Sequence, residues 1–261
     1  MSLVMLLMVL FEEKFIYFPY KYPEGTWRPE TYGLKAEDCF FTTSDGVKLH
    51  GWFFRVDHSK ATLFWCHGNA GNITHRLHNI SKLLPLGINV FIFDYRGYGK
   101  SEGKPSEQGV YEDALAAYDF LTMDKGVESL SLIVFGRSLG AAVAIDLASR
   151  RVCRGLILES SFPSAQAVAK GMLPFIHFFI RSRFDAESKI KDIHVPLLFT
   201  HGTEDRTIPM HLGRILFEKA NEPKSFYEIV GADHNDTYIV GGDEYFRRLG
   251  TFIDQVLPPV P

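Results

Sequence analysis

This chain is most easily bounded by what it lacks. It has no excess of basic charge: 28 Lys and Arg against 31 Asp and Glu leave a formal net charge of −3 over 261 residues. Without a basic face there is no ground for a nucleic-acid partner. Cysteine is scarce, limited to Cys39, Cys66 and Cys153, an odd set with no C-x-x-C spacing. That argues against a disulfide framework or a zinc site and fits buried thiols in a reducing, cytoplasmic setting. Cys66 closes an apolar run and reads as a core thiol. No apolar run approaches the roughly 20 residues a helix needs to cross a bilayer, and internal repeats and low-complexity tracts are missing. His75 and His78 have i,i+3 spacing on a helix, but no companion cluster of carboxylates and histidines, so a solvated helix face is the better reading and no metal is expected. Gly99-Lys100-Ser101 resembles the end of a phosphate-binding loop, yet Asp94 stands where that motif needs glycine, and no cofactor is expected.

The start of the chain is unusual. Met1 to Phe11 is almost wholly apolar, Glu12-Glu13-Lys14 interrupts, and Phe15-Ile16-Tyr17-Phe18 resumes before Pro19. A basic n-region and a small-residue cleavage site, the marks of a secretory leader, are lacking. Two readings stay open: an interfacial anchor giving peripheral membrane association, with aromatics at headgroup level, or a helix packed on the core or on a second copy in a homodimer. Residues 1–24 are taken as this segment. Residues 25–261 then form one domain, of a size α/β domains often reach.

What is present is a regular alternation. The hydrophobic fraction of 46% supports a sizeable core. Runs at 39–43 and 47–56 read as two strands joined by Ser44-Asp45-Gly46. Further strand-like runs lie at 61–66, 88–93, 130–135, 155–158, 195–200 and 225–230. Helix-like segments fall near 73–84, 106–121, 139–150, 209–220 and 243–257. Continuous apolar strands separated by helices predict a mostly parallel eight-stranded sheet covered on both faces, with the first hairpin at one edge. One stretch breaks the pattern. About 163–193 is too long and, around Met172, Phe175 and Phe178, too apolar for a solvated loop. It reads as a small lid or binding wall in preference to a longer crossover helix on the core, and these three residues as substrate contacts.

Gly136-Arg137-Ser138-Leu139-Gly140 lies directly between an apolar strand run and a small-residue helical run. A G-x-S-x-G element in that strand–turn–helix setting is a nucleophile elbow, in which the serine hydroxyl projects above the sheet from a strained turn. Gly99-Lys100-Ser101-Glu102-Gly103 repeats the pattern, but its strand ends too early and a loop follows. Ser138 is therefore the candidate nucleophile. A serine needs a base, for which histidine is suited, and the histidine needs a carboxylate to fix its tautomer. Of ten histidines, His234 alone lies in a polar loop after the final strand. His67 and His201 precede glycines at strand ends and read as shaping the backbone. Asp205 is the favoured acid over Glu204, which should point elsewhere, and Glu159 is a rival because it also ends a strand. For the oxyanion of acyl chemistry, the Leu139 N–H at the helix start and the Asn69 N–H in the loop His67-Gly68-Asn69-Ala70-Gly71-Asn72 are the candidate donors.

Four blocks in order (His67 to Asn72, Asp94 to Ser101, Gly136 to Gly140 and His201 to Asp205) resemble the α/β-hydrolase superfamily, and within it the serine-aminopeptidase-like group that includes membrane-associated members and protein depalmitoylases. The resemblance spans roughly residues 25–257. It implies an α/β-hydrolase fold with a small lid, a triad of Ser138, Asp205 and His234, and an oxyanion hole at Asn69 and Leu139. The leading expectation is a serine esterase acting on small-molecule esters of short to medium acyl chain. A membrane-associated thioesterase or a serine peptidase is the alternative. A non-catalytic binding module is least favoured because no triad residue is missing.

Overall fold

The apolar runs of the sequence become the strands of one sheet. The computed structural model of the protein describes residues 12–172 and 181–258. Its main strands are β1 (Ala36–Thr42), β2 (Lys48–Phe54), β3 (Ala61–Cys66), β4 (Ile88–Asp94), β5 (Leu132–Arg137), β6 (Gly155–Glu159), β7 (Leu197–Gly202) and β8 (Lys224–Ile229). The spatial order is β8-β7-β6-β5-β3-β4-β2-β1. Pairing is parallel from β8 through to β4. Only β2 runs against its neighbours, pairing antiparallel with both β1 and β4. Every residue of β3, β4, β6 and β7 is buried, as expected for strands covered on both faces.

The strands divide their side chains between two cores with the period of two that pleating imposes. Phe64, Phe91, Phe93 and Val134 face α2 (Glu107–Asp119) and α3 (Leu139–Ala148). Leu63, Trp65, Ile92 and Phe135 face α1 (Leu77–Leu83) and the C-terminal helix at Gly242–Val256. That last helix buries Tyr245, Leu249, Phe252 and Ile253 along one stripe, at the i, i+3, i+4 spacing of an amphipathic surface helix. The predicted helix over 73–84 opens with a tighter turn at Ile73–Arg76, held by a box in which Asn72 and His75 cap each other. Cys39, Cys66 and Cys153 are free and buried.

Between β6 and β7 lie α4 (Ala165–Met172) and α5 (Ala186–Ile190). The centre of the predicted lid, including Phe175 and Phe178, lies outside the described residues, as do the side chain of Met172 and the apolar residues 1–11. The stretch from Arg181 to Phe184 is tied down by two carboxylates. Glu12 accepts from the Arg181 and Ser182 N–H groups at 2.9 and 2.7 Å. Glu107 accepts from those of Arg183 and Phe184 at 2.6 and 2.7 Å. At the N-terminus, one helical turn at Glu13–Ile16 leads into Phe18–Pro19, which runs parallel to Ala70–Gly71 in a two-stranded ribbon. Among the described residues no helix is long and apolar enough to cross a membrane.

Candidate active site

The turn between β5 and α3 is so tight because glycine stands on both sides of Ser138. A Cβ on Gly140 would lie 2.1 Å from the Cys66 carbonyl oxygen, and one on Gly136 would lie 2.4 Å from the Gly140 oxygen. Any larger residue would therefore push the helix off the sheet. Ser138 itself has φ 56 and ψ −123, a left-handed conformation that a residue with a side chain adopts only when its surroundings enforce it. They do so through two bonds: its N–H donates to the Glu159 carbonyl and its carbonyl accepts from Ala141, both at 2.9 Å.

His234 and Asp205 reach Ser138 from two loops that are fastened to each other. The loop after β7 and the loop after β8 exchange bonds from Thr203 N–H to the Ile229 carbonyl (3.1 Å) and from Glu204 N–H to the Ala232 carbonyl (3.0 Å). Asp233 adds a link by accepting from both the His234 N–H (2.7 Å) and the Arg206 N–H (2.9 Å). His234 Nε2 then lies 3.0 Å from Ser138 Oγ, and its Nδ1 lies 2.8 Å from Asp205 Oδ2. Since a carboxylate only accepts, the imidazole carries its proton on Nδ1. That leaves the Nε2 lone pair to accept from the serine hydroxyl. Asp205 is buried, which by itself raises a carboxyl pKa. Hydrogen bonds from His201 and His234 outweigh that and hold it well below the usual carboxylate range. The other oxygen of Asp205 accepts from the Thr207 and Ile208 N–H groups at 3.0 and 2.7 Å, so the acid is fixed and ionised.

The rivals are occupied elsewhere. Glu159 is fully buried beside Arg137 Nε (2.9 Å), and accepts from Thr237 Oγ1 (3.0 Å) and from the Tyr245 hydroxyl (2.6 Å). Arg137 in turn donates to the His234 carbonyl, so Glu159 serves the histidine loop through an arginine instead of touching the imidazole. Glu204 is exposed. Ser101 Oγ donates to the Asp94 carbonyl and accepts from the His50 N–H. His75 Nδ1 is taken up in the Asn72 cap, and His78 Nδ1 lies 3.3 Å from the Tyr238 hydroxyl. Among the described residues no group of three His, Cys, Asp or Glu is placed to hold a metal.

The loop after β3 lies against the elbow: a Cβ on Gly68 would sit 3.5 Å from Ser138 Cβ. His67 shapes this loop from beneath. Burial drives its pKa down to about 3, so the ring is neutral, and its Nδ1 lies 2.7 Å from the Gly68 carbonyl, to which it donates. In a trans peptide, N–H and C=O point to opposite sides, so holding the Gly68 oxygen aims the Asn69 N–H the other way. That N–H bonds to no described residue. Leu139 is the first residue of α3, where an N–H has no intrahelical acceptor and the helix dipole favours negative charge. Thus a serine hydroxyl, an imidazole and a carboxylate are gathered in one line, with the start of α3 and the loop after β3 lying against the serine. Sequence reasoning overlooked Arg137 and Asp233; a charged residue inside the otherwise apolar elbow was the available signal for Arg137.

Comparisons with known proteins bear on the family and the fold. A family model described as serine aminopeptidase, S33, matches residues 57–181. The α/β-hydrolase domain-containing protein WAV2 of Arabidopsis thaliana is 35% identical over 97% of this chain and 90% of its own length. An uncharacterised protein, YfhR, of Escherichia coli K12 is 33% identical over 94% and 88%. Among solved structures, an esterase of Pyrococcus furiosus, Pf2001, superposes with TM-score 0.77 at 24% identity, covering 93% of this chain and 98% of that one. A second crystal form of it gives TM-score 0.74 at 26% identity over 91% and 98%.

Proposed function

Taking as premise that this chain belongs to the α/β-hydrolase superfamily, we propose that it is a serine esterase that cleaves small carboxylic esters through an acyl-enzyme. The observation that carries this reading is the unbroken line from Asp205 through His234 to Ser138, at 2.8 and 3.0 Å. In the proposed reaction the Ser138 hydroxyl attacks the ester carbonyl as His234 Nε2 takes its proton, and Asp205 stabilises the imidazolium. The oxyanion settles against the N–H groups of Asn69 and Leu139, a type of contact worth on the order of 10²–10³ in rate per donor. His234 then protonates the departing alcohol, and a water deprotonated by the same imidazole releases the acid. Met172, Phe175 and Phe178 are proposed to wall the acyl pocket. The test is a rate profile over p-nitrophenyl esters from two to sixteen carbons. Short to medium chains should be preferred, and a chain that hydrolyses none of them contradicts the proposal.

A second reading is a thioesterase working at a membrane surface, with peptide hydrolysis, the activity in the matched family's description, as a further variant. One observation favours the membrane: Phe15, Phe18, Tyr20 and Tyr22 are 60, 49, 47 and 58% exposed on one short stretch directly after the apolar start, a composition suited to a headgroup layer. Flotation of the full chain with liposomes tests it, and sedimentation without lipid tests the alternative of a homodimer through the same segment. The cytoplasmic location is proposed from the free, buried thiols alone.

A further inference from the structure

The residue proposed to supply the second oxyanion donor, Asn69, is held from outside the hydrolase domain. Its carbonyl accepts from the Phe18 N–H at 3.0 Å and from the Tyr98 hydroxyl at 2.7 Å. Its side-chain amide donates to the Ile16 carbonyl at 2.8 Å. Two residues on, the Tyr20 N–H donates to the Gly71 carbonyl at 3.1 Å, and the side-chain amide of Asn72 donates to the carbonyls of Tyr20 (3.1 Å) and Glu24 (2.8 Å). Residues 16–24 therefore grip the loop at Asn69, Gly71 and Asn72. The strand is itself secured. Tyr17 is buried with its ring edge-on to Phe184 at 6.4 Å, and Glu12 binds the returning end of the predicted lid.

A loop of the composition Gly68-Asn69-Ala70-Gly71 has little intrinsic preference, because its glycines allow peptide planes to turn over at small cost. His67 fixes the plane before Asn69, and the plane after it is fixed by Phe18 and Tyr98. We infer that residues 16–20 act as a positioning strap for the oxyanion loop, so that acyl transfer depends on a segment lying before the domain that carries the triad. The inference rests on the esterase reading and assigns the strap a share in stabilising its transition state. It has a direct consequence: removing residues 1–18 takes away Glu12, Ile16 and Phe18 together, so such a truncation tests catalysis as well as any surface attachment of the apolar start.

The decisive variants are Phe18→Pro and Phe18→Ala in the full chain. Both remove the same half-exposed ring, but only proline removes the N–H that Asn69 accepts. The preceding residue, Tyr17, has φ −109 and ψ 128, the extended conformation that proline requires before it. Rates are expressed per active serine, titrated with a fluorophosphonate, so that any unfolded fraction drops out. Phe18→Pro is expected to lower kcat on p-nitrophenyl acetate by about 10- to 100-fold relative to Phe18→Ala, with KM within about twofold, as weakening of one oxyanion donor predicts. Equal kcat per labelled serine in the two variants, with the wild type active, overturns the strap and leaves the esterase intact. A wild type that is neither active nor labelled overturns the esterase reading and the strap with it.

Discussion

Two serines in this chain stand at the centre of the same five-residue pattern, and the fold uses them in opposite ways. Ser138 and Ser101 are buried to a similar degree, 6% and 8% exposed. At Ser101, both hydrogen-bonding capacities of the hydroxyl are spent on backbone: it donates to the Asp94 carbonyl at 2.7 Å and accepts from the His50 N–H at 2.9 Å. Its flanking glycines have φ +47 and +83, so they serve turns. At Ser138, the strained backbone is held by neighbouring amides and carbonyls, and among the described residues the hydroxyl bonds to an imidazole lone pair. The glycines there have a different purpose, letting a helix touch a strand. The pattern therefore specifies small neighbours, while the partner offered to the hydroxyl decides whether it reacts.

The sharpest way to break this comparison is to remove each hydroxyl in turn. Ser138→Ala should drop kcat on p-nitrophenyl butyrate to background, a loss on the order of 10⁶. Next in size is Asp205→Asn, which donates where the carboxylate accepted and so turns the imidazole to the wrong tautomer. We expect a fall of about 10⁴ in kcat, and a near-normal rate would move the acid role away from Asp205. Ser101→Ala should act on stability instead. It leaves the buried His50 N–H without its partner, costing about 1–3 kcal/mol in urea unfolding, with kcat per titrated serine within about twofold.

A pH dependence of stability, separate from the reaction, concerns Asp94, whose carbonyl receives the Ser101 hydroxyl. Burial raises its carboxyl pKa to about 8, against ~3.9 for an unfolded chain. Between these values the folded protein keeps a proton that the unfolded chain has released, so unfolding liberates a proton and stability falls as pH rises from ~4 to ~8. Above that the contribution is flat. Asp94→Asn removes this slope while preserving an acceptor for the Ile73 N–H, which donates to Asp94 Oδ1 at 2.9 Å. Urea midpoints at pH 5 and pH 8 measure it: the wild type should lose more stability between them than the variant, and parallel losses would place the titration elsewhere.

Much of the fold was legible because its strands are fully buried runs of apolar residues separated by helical spacing. All eight were placed within a few residues, with most ends shifted by one to three; at β5 the shift has a local cause, since a short tight turn at Ser129–Ser131 takes the place of the first residues expected for the strand. Ser138 and His234 were legible from chain order and context. Asp205 was favoured over Glu159, but no single feature excluded the rival, since one lies just past the end of a parallel strand and the other ends one. What separates them is Arg137, a neighbour in space that claims Glu159, and no local pattern encodes that pairing. The strap was hidden for another reason. Its contacts run through backbone atoms of Ile16, Phe18 and Tyr20, and a two-residue ribbon has too short a period to leave a signature.

The central claim is that one hydroxyl among the serines of this chain is a nucleophile. Labelling the folded protein with a fluorophosphonate and mapping the adduct by peptide mass spectrometry tests it most directly. The account predicts a single adduct on Ser138, lost in Ser138→Ala and retained in Ser101→Ala. An adduct on Ser101, or an active protein with no adduct on Ser138, would contradict it.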